Sequence, residues 1–367
     1  MAKNVRIAGP SLYEVPVLAQ LTAPETVLAE RYATRLDYVR TLCALVKGAG
    51  YEADIVFAAD DAEEDPILSE RNRTEKPNVR DYSFALCRVR ERTGGFLGFG
   101  GTERTLFLGL ENEYSPLGAT SFEGSHYFDP VTETFGLVTV PSPALATRTH
   151  DRMTVRLREN GAADFEIVHA LWGSEVGSFR KRYAEMLPEM RDRHHQGLLG
   201  AIADAASATG ELETDVTGYP ARRAFSCYVP DFAVVKDGVL TVTLGAFMDG
   251  VISLTGTSRR NPIGIPSGED VETDIEVVFP EGYVALEHLP AEFRTHDPLD
   301  PAKTWSTLTV SSSVQDGILT VRLKSRAMRH PEGMLSAGYF PLLKEWMRLG
   351  EARANRTIVV RRDGAAR

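Results

Sequence analysis

The chain has 367 residues, 43% of them hydrophobic and 25% charged, a length and balance that suit two or three globular domains. It carries 41 Lys and Arg against 51 Asp and Glu, a net charge of −10, and has no basic stripe interleaved with aromatics; this excludes a nucleic-acid partner and argues equally against an anionic membrane surface. No apolar run approaches a membrane span, and three cysteines, far apart and each inside an apolar pattern, do not make a disulfide framework.

Thr22-Ala-Pro-Glu25 opens a first predicted helix that reaches Tyr32: a Thr three residues before a Glu reads as a capping box, and Pro suits the first turn. A second helix is predicted over Arg35–Lys47, where Leu36, Val39, Leu42, Cys43 and Val46 recur at spacings of three and four and Gly48-Ala49-Gly50 ends the run. Asp54–Ala59 reads as a short strand. Residues Asp60–Arg80, acidic and then basic with Pro66 and Pro77, read as a surface loop; Asp60–Asp65 lacks the alternating ligand order and central glycine of a calcium loop. Strands are expected at Tyr82–Arg90 and Arg104–Leu110. The glycine cluster Gly94–Gly101 between them leads into a strand rather than a helix, so it reads as a hairpin loop and not a phosphate cradle. Asp129-Pro-Val-Thr132 predicts a turn before a strand, and Pro141-Ser-Pro143 a domain boundary.

Beyond that boundary Asp151–Leu157 and Ala163–Leu171 alternate around Glu159-Asn-Gly161 and predict a hairpin. A helical interval follows over Val176–Ala208, broken at Pro188. Three further hairpins are expected: Ala233–Lys236 with Val239–Phe247 across Asp237-Gly238, Val271–Phe279 with Tyr283–Leu286 across Pro280-Glu-Gly282, and Thr304–Val314 with Ile318–Lys324 across Gln315-Asp-Gly317. A helix over Tyr339–Ala352 and a strand at Thr357–Arg361 close the chain.

The order helix from Arg35, strand Tyr82–Arg90, strand Thr105–Tyr114 resembles the transglutaminase-like branch of the papain-like cysteine enzymes, in which a Cys opens the helix, a His sits on the first strand and an Asp ends the second. Aligned at Ala49-Gly50, the Cys position falls on Arg35; aligned on Ala85-Leu86-Cys87-Arg88-Val89, the His position falls on Phe84; aligned before Tyr114, the Asp position falls on Glu111. Ser258-Arg-Arg-Asn-Pro262, Phe279-Pro-Glu-Gly-Tyr283 and the closing helix and strand resemble the uncharacterised β-rich domain that follows this core in bacterial proteins. The resemblance implies an α+β protein: a partial papain/transglutaminase-like core over residues 1–143, truncated at its N-terminus, followed over 144–367 by a β-sandwich-like domain with a helical insertion near 176–208 and a helix near 339–352. It also implies a longer parent chain, of which this is a fragment with an artificial Met1-Ala2. The opening Met-Ala-Lys-Asn-Val-Arg has no apolar signal region, and an exported or periplasmic parent is an implication of the resemblance alone.

A papain-like enzyme needs a thiolate, a base and a group to orient the base. A helix N-terminus lowers a thiol pKa, whereas Arg35 there stays protonated and fits the helix dipole poorly, a mismatch that a carboxylate at Asp37 or Glu111 could offset. Phe84 cannot relay a proton. Arg35 and Glu111 either form an ion pair in place of the lost Cys-His-Asp line or are unrelated surface charges. Cys43, two turns into the same helix, is the alternative nucleophile, but its apolar neighbours point to a core role. Cys87 lies on the strand face opposite Phe84. His194-His195 reads as a solvated helix face, and His126 with Glu123 and Asp129 as a polar loop rather than a zinc site; no metal and no cofactor is expected. The expectation is a catalytically inactive transglutaminase-like binding or scaffolding module of a bacterial cell envelope, with a protein, peptide or envelope ligand. The alternatives are an active cysteine hydrolase or acyltransferase with relocated residues, and a core kept only as a packing platform for the β-rich half.

Overall fold

The computed structural model describes residues 1–8, 21–59, 82–93, 102–244, 258, 260, 263–265, 270–296, 302, 304–327, 333–335, 337–351 and 356–364. The acidic run Asp60–Asp65, the glycine cluster Gly94–Gly101 and most of Ser258–Pro262 lie outside them. Two compact units form. The first holds Met1–Thr147 with Trp172–Arg182 and Pro331–Met334, and the second Arg148–Leu171 with Tyr183–His330 and Leu335–Arg367.

In the first unit short β1 (Arg6–Ile7) pairs in parallel with β2 (Tyr32–Ala33), on either side of α1 (Pro24–Glu30). The expected capping box does not form: Ala23 is the N-cap and makes no side-chain bond, because the Thr22 N–H donates instead to Asp37 Oδ1 at 3.0 Å. α2 (Arg35–Gly48) starts at the expected residue, capped by Thr34, whose Oγ1 accepts from the Asp37 N–H. Its Tyr38, Val39 and Cys43 are buried, each large apolar side chain contributing on the order of 1.5–3 kcal/mol. Five strands follow: β3 (Glu52–Ala58), β4 (Phe84–Thr93), β5 (Thr102–Leu108), β6 (His126–Asp129) and β7 (Thr134–Leu137). They make one antiparallel sheet in the order β5-β4-β3-β6-β7.

Period-two alternation splits β4 between two layers. Cys87 and Val89 join the α2 cluster with Val39, Cys43 and Leu106. Leu86 and Phe84 join Val56, Phe107, Val138 and Phe122 on the other face.

The second unit is built from β8 (Arg148–Leu157), β9 (Ala163–Trp172, its last residue counted with the first unit), β10 (Ser207–Ala208), β11 (Glu213–Asp215), β12 (Ala221–Val229), β13 (Ala233–Lys236), β14 (Val239–Thr243), β15 (Ile263–Ile265), β16 (Asp270–Val278), β17 (Tyr283–His288), β18 (Phe293–His296), β19 (Thr304–Gln315), β20 (Ile318–Ala327) and, after β21 (Gly333–Leu335), whose first two residues belong to the first unit, β22 (Thr357–Arg362). Helices α3 (Glu175–Glu185), which begins within the first unit, α4 (Pro188–Ile202) and α5 (Phe340–Glu351) interrupt them. Nine strands join in one sheet, β10-β12-β9-β8-β16-β20-β19-β18 with β11 also on β12, and four in another, β13-β14-β22-β17. Asp237-Gly238 and Asp316-Gly317, all at positive φ, close the tight hairpins expected of them.

Pro280-Glu-Gly282 does not close a hairpin. The turn exists, with the Tyr283 N–H reaching the Pro280 carbonyl at 3.4 Å, but β16 pairs with β8 and β20 while β17 pairs with β22. The turn is a corner that carries the chain from one sheet to the other.

The expected α+β class is overturned. The protein is mostly β: among the described residues strands hold 44% and helices 23%. The cause lies in the second half, where ten- and twelve-residue hairpin strands add edge to edge into the nine-stranded sheet and outweigh the few helices. No described helix is long and apolar enough to cross a membrane.

Candidate functional site

Arg35 opens α2 with an exposed side chain, and Phe84 opens β4. The two line one hollow together with Leu36, Ser83, Ala85, Leu86, Leu110 and Phe122. Two positions 49 residues apart in the chain, each picked out by its own anchor, thus line the same hollow. The hollow is about 20 Å³, room for one water-sized group. It is filled from within: the Phe84 and Phe122 ring centroids are 5.0 Å apart with planes tilted by 46°. Ser83 supplies the lining hydroxyl, and neither a thiol nor an imidazole is among the lining residues.

Glu111 lies three residues past the end of β5, next to the lining residue Leu110. Its Oε2 turns back to accept the Gly109 N–H at 2.7 Å, and a Cβ on Gly109 would meet Leu86 at 2.8 Å, so this corner is closely packed. Among the described residues no ion pair joins Arg35 to Glu111; of the two readings of these charges the paired one fails. Glu111 still bears on α2: burial pushes the Tyr38 phenol up, and the Glu111 and Glu113 carboxylates push it the same way. The acid that matches the positive helix end is Asp37, buried at the third helical position. It accepts from the Thr34 hydroxyl at 2.9 Å and from the Thr22 N–H, and lies 3.5 Å from Arg40.

The thiols stand elsewhere. Cys43 is 4% exposed, and Cys87 and Cys227 are fully buried. Burial and the Asp164 charge push the Cys227 thiol up to about 11, and burial raises Cys87. Each lacks the electropositive, accessible setting of a reactive cysteine.

Three charged groupings were not picked out from the sequence. On the sheet face away from α2, Arg88 donates to Asp54 through Nε (2.8 Å) and Nη2 (2.7 Å), to Asp129 through Nη2 (2.5 Å) and to the Tyr127 hydroxyl through Nη1 (3.2 Å); Arg90 also pairs with Asp54. The available signal was an arginine two residues from Leu86, on the buried face of an apolar strand. Asp129, expected in a polar loop, is 2% exposed. Burial pushes its carboxyl up, but the Val131 N–H, Arg88 and Thr132 together hold it at about 2.

In the second unit His150 Nε2 meets Asp274 Oδ2 at 2.8 Å and His169 Nδ1 meets Asp151. Register sets Arg223 opposite His169 and Thr273 opposite Asp151, so the hydroxyl stands on the carboxylate side of the pair and a guanidinium on the imidazole side. That order does not make a hydroxyl nucleophile activated by histidine. His194 and His195 are not a solvated face either: His194 Nε2 is 2.8 Å from the Tyr183 hydroxyl, and the His195 ring meets Phe225 edge-on. Among the described residues no group of three His, Cys, Asp or Glu side chains is placed to hold a metal.

The outer face of the large sheet carries a groove of about 500 Å³. Its walls are the side chains of Arg152, Asp274, Glu276, Thr309, Arg322 and Lys324; Met153, Ile275 and Leu323 alternate with them and are buried on the other face. Arg322 bonds Glu276 at 2.8 Å, and Lys324 lies 3.7 Å from Asp274.

No family profile matches the sequence, and no curated protein matches it. Among solved structures the chain is similar to one described as a "putative protease" from Parabacteroides distasonis, at 12% identity and a TM-score of 0.46 over 98% of this chain. The chain spans about half the length of that protein, 49%.

Proposed function

We propose that the chain is a non-catalytic binding module related to the transglutaminase-like cysteine enzymes, and that it holds an extended peptide or envelope polymer in the groove of its large sheet. The observation that carries the proposal is the convergence of Arg35 and Phe84 on one hollow without thiol or imidazole. A substrate pocket usually encloses some 300–1,000 Å³; a hollow of about 20 Å³ plugged by two phenyl rings admits no substrate side chain. The groove is the surface with room. Its paired charges and hydroxyls suit a chain-like polar ligand held by several weak contacts, and its cross-strand ion pairs, exposed and worth about 0–1 kcal/mol each, can exchange partners cheaply.

Co-sedimentation of the purified chain with insoluble cell-wall polymer, together with fluorescence anisotropy on labelled extended peptides, tests this. Binding is expected, and Arg322→Glu with Lys324→Glu should weaken it at least about tenfold while the melting temperature stays put, since exposed pairs carry little stability. No binding to either ligand class, or binding indifferent to both substitutions, would overturn the groove assignment.

A further inference from the structure

β19 is the last long strand of the large sheet, followed only by the short β18. β18 covers residues 304–308 of it, while β20 pairs on the other side as far as Gln315. Residues 311–315 are all exposed, Val314 to 52%, and no described strand pairs with them on the side away from β20.

Gln315 and Ile318 face each other across the Asp316-Gly317 turn. Main-chain groups alternate in direction along a strand, so those of Gln315, Ser313 and Ser311 point to β20 and those of Ser312 and Val314 point outward. The Val310 N–H fixes the same phase, donating outward to Glu292 Oε1 at 2.9 Å. Ser312 and Val314 therefore present unpaired N–H and C=O groups at a sheet edge. Natural edges are blunted by lysine, proline or a bulge. β19 reads Thr-Trp-Ser-Thr-Leu-Thr-Val-Ser-Ser-Ser-Val-Gln, without charge or proline, and its register with β20 is unbroken.

We propose that this edge takes an extended peptide as an added antiparallel strand, in line with β18 and ending at Glu292. This rests on the groove being a peptide site, whose lining includes Thr309 and Ser311 of the same strand, and gives the way the peptide is held. A second copy of the chain fits less well. The free stretch, roughly 17 Å long and about 10 Å deep, offers a copy on the order of 200 Å², against roughly 800 Å² per partner in a stable interface. Each copy would also bring a net charge of −10. An added peptide strand draws its affinity from main-chain hydrogen bonds. Its side chains alternate between the two faces. Those beside Val310 and Val314 are apolar and β-branched, to pair across the strands. On the other face Arg322 Nη1 reaches Ser313 Oγ at 3.4 Å, which sets a cation near the edge for an acidic side chain.

The test uses the full chain and a fluorescein-labelled Thr-Val-Glu-Val-Thr-Val-Lys peptide. Anisotropy gives the affinity, and hydrogen exchange read at single residues by mass spectrometry gives the contact. Saturating peptide should slow exchange at the Ser312 and Val314 amides at least about tenfold and leave Ser311 and Ser313, already paired with β20, unchanged. N-methylation of the peptide's valines, whose N–H groups face the edge, should weaken binding at least about tenfold; N-methylation of its threonines and glutamate should not. Val314→Pro, which removes an outward N–H and no ladder bond, should weaken binding with the melting temperature kept. Binding that Arg322→Glu with Lys324→Glu weakens, but that leaves Ser312 and Val314 unprotected, overturns the strand addition while the groove reading stands. No peptide binding also overturns it, and binding of cell-wall polymer would then keep the groove without the edge. Protection of Ser312 and Val314 that rises with protein concentration in the absence of peptide overturns it in favour of a second copy. The exchange readout on the wild-type chain decides the matter even if the proline variant does not fold.

Discussion

Arg88→Met removes the cation that holds two carboxylates on the inner layer of the first unit. Four hydrogen bonds to Asp54, Asp129 and Tyr127 are lost. Asp54 keeps Arg90; Asp129, 2% exposed, keeps the Val131 and Thr132 N–H groups and no cation among the described residues. Breaking a buried pair on one side costs about 3–5 kcal/mol, chiefly because the remaining charge is stranded. For a cooperative unit of this size that is a fall of roughly 6–20 °C in melting temperature. Arg88→Met combined with Asp129→Asn strands no charge there and should recover part of the loss.

Acid supplies an independent check. The folded Asp129 carboxyl lies at about 2, against an ordinary 3.8. A depressed carboxylate stabilises the fold fully above its unfolded pKa. Its contribution, about 2 kcal/mol, is therefore present above pH 3.8 and lost as pH falls toward 2. In Arg88→Met the stranded carboxyl titrates higher, so the difference from wild type should shrink between pH 7 and pH 3. Urea titrations followed by circular dichroism at both pH values measure this. A variant within about 1 kcal/mol of wild type at pH 7, or a difference unchanged by acid, refutes the stranded-charge account.

Thr34→Ala removes the cap of α2 and one partner of buried Asp37; it should cost about 1 kcal/mol in denaturant unfolding, and Thr34→Ser should restore most of it. Gly161→Ala meets two obstacles, a φ of +86° and the Ala233 carbonyl oxygen 2.4 Å from the added Cβ. Its cost in the same assay should exceed the 1–2 kcal/mol typical of a left-handed residue alone, whereas Gly197→Ala, with open space around it in mid-helix, should be neutral or stabilising.

What was legible in the sequence was local. The three- and four-residue spacing from Leu36 to Val46 located α2, and Asp-Gly pairs located hairpins that depend only on neighbouring φ angles. The failures came where distant chain decided. Thr22 had the pattern of a cap, yet its N–H bonds Asp37, fifteen residues on. Pro280-Glu-Gly282 had the pattern of a hairpin, yet the parallel partnership of β16 with β8 fixed where β16 lies. The same long-range addition of strands turned an expected α+β chain into a mostly β one. At the candidate site the family resemblance put Arg35 and Phe84 at the Cys and His positions, and the structure sets both on one hollow. It could not show that Glu111 bonds Gly109 instead of Arg35, because side-chain direction after a strand end has no periodic signature.

The non-catalytic account meets its most direct test in labelling of the native, reduced chain with a peptide-based thiol electrophile, read by intact mass. The account predicts no stoichiometric adduct at neutral pH, since Cys43, Cys87 and Cys227 are buried. Stoichiometric labelling of one cysteine, abolished by substituting a single histidine near it, would contradict it.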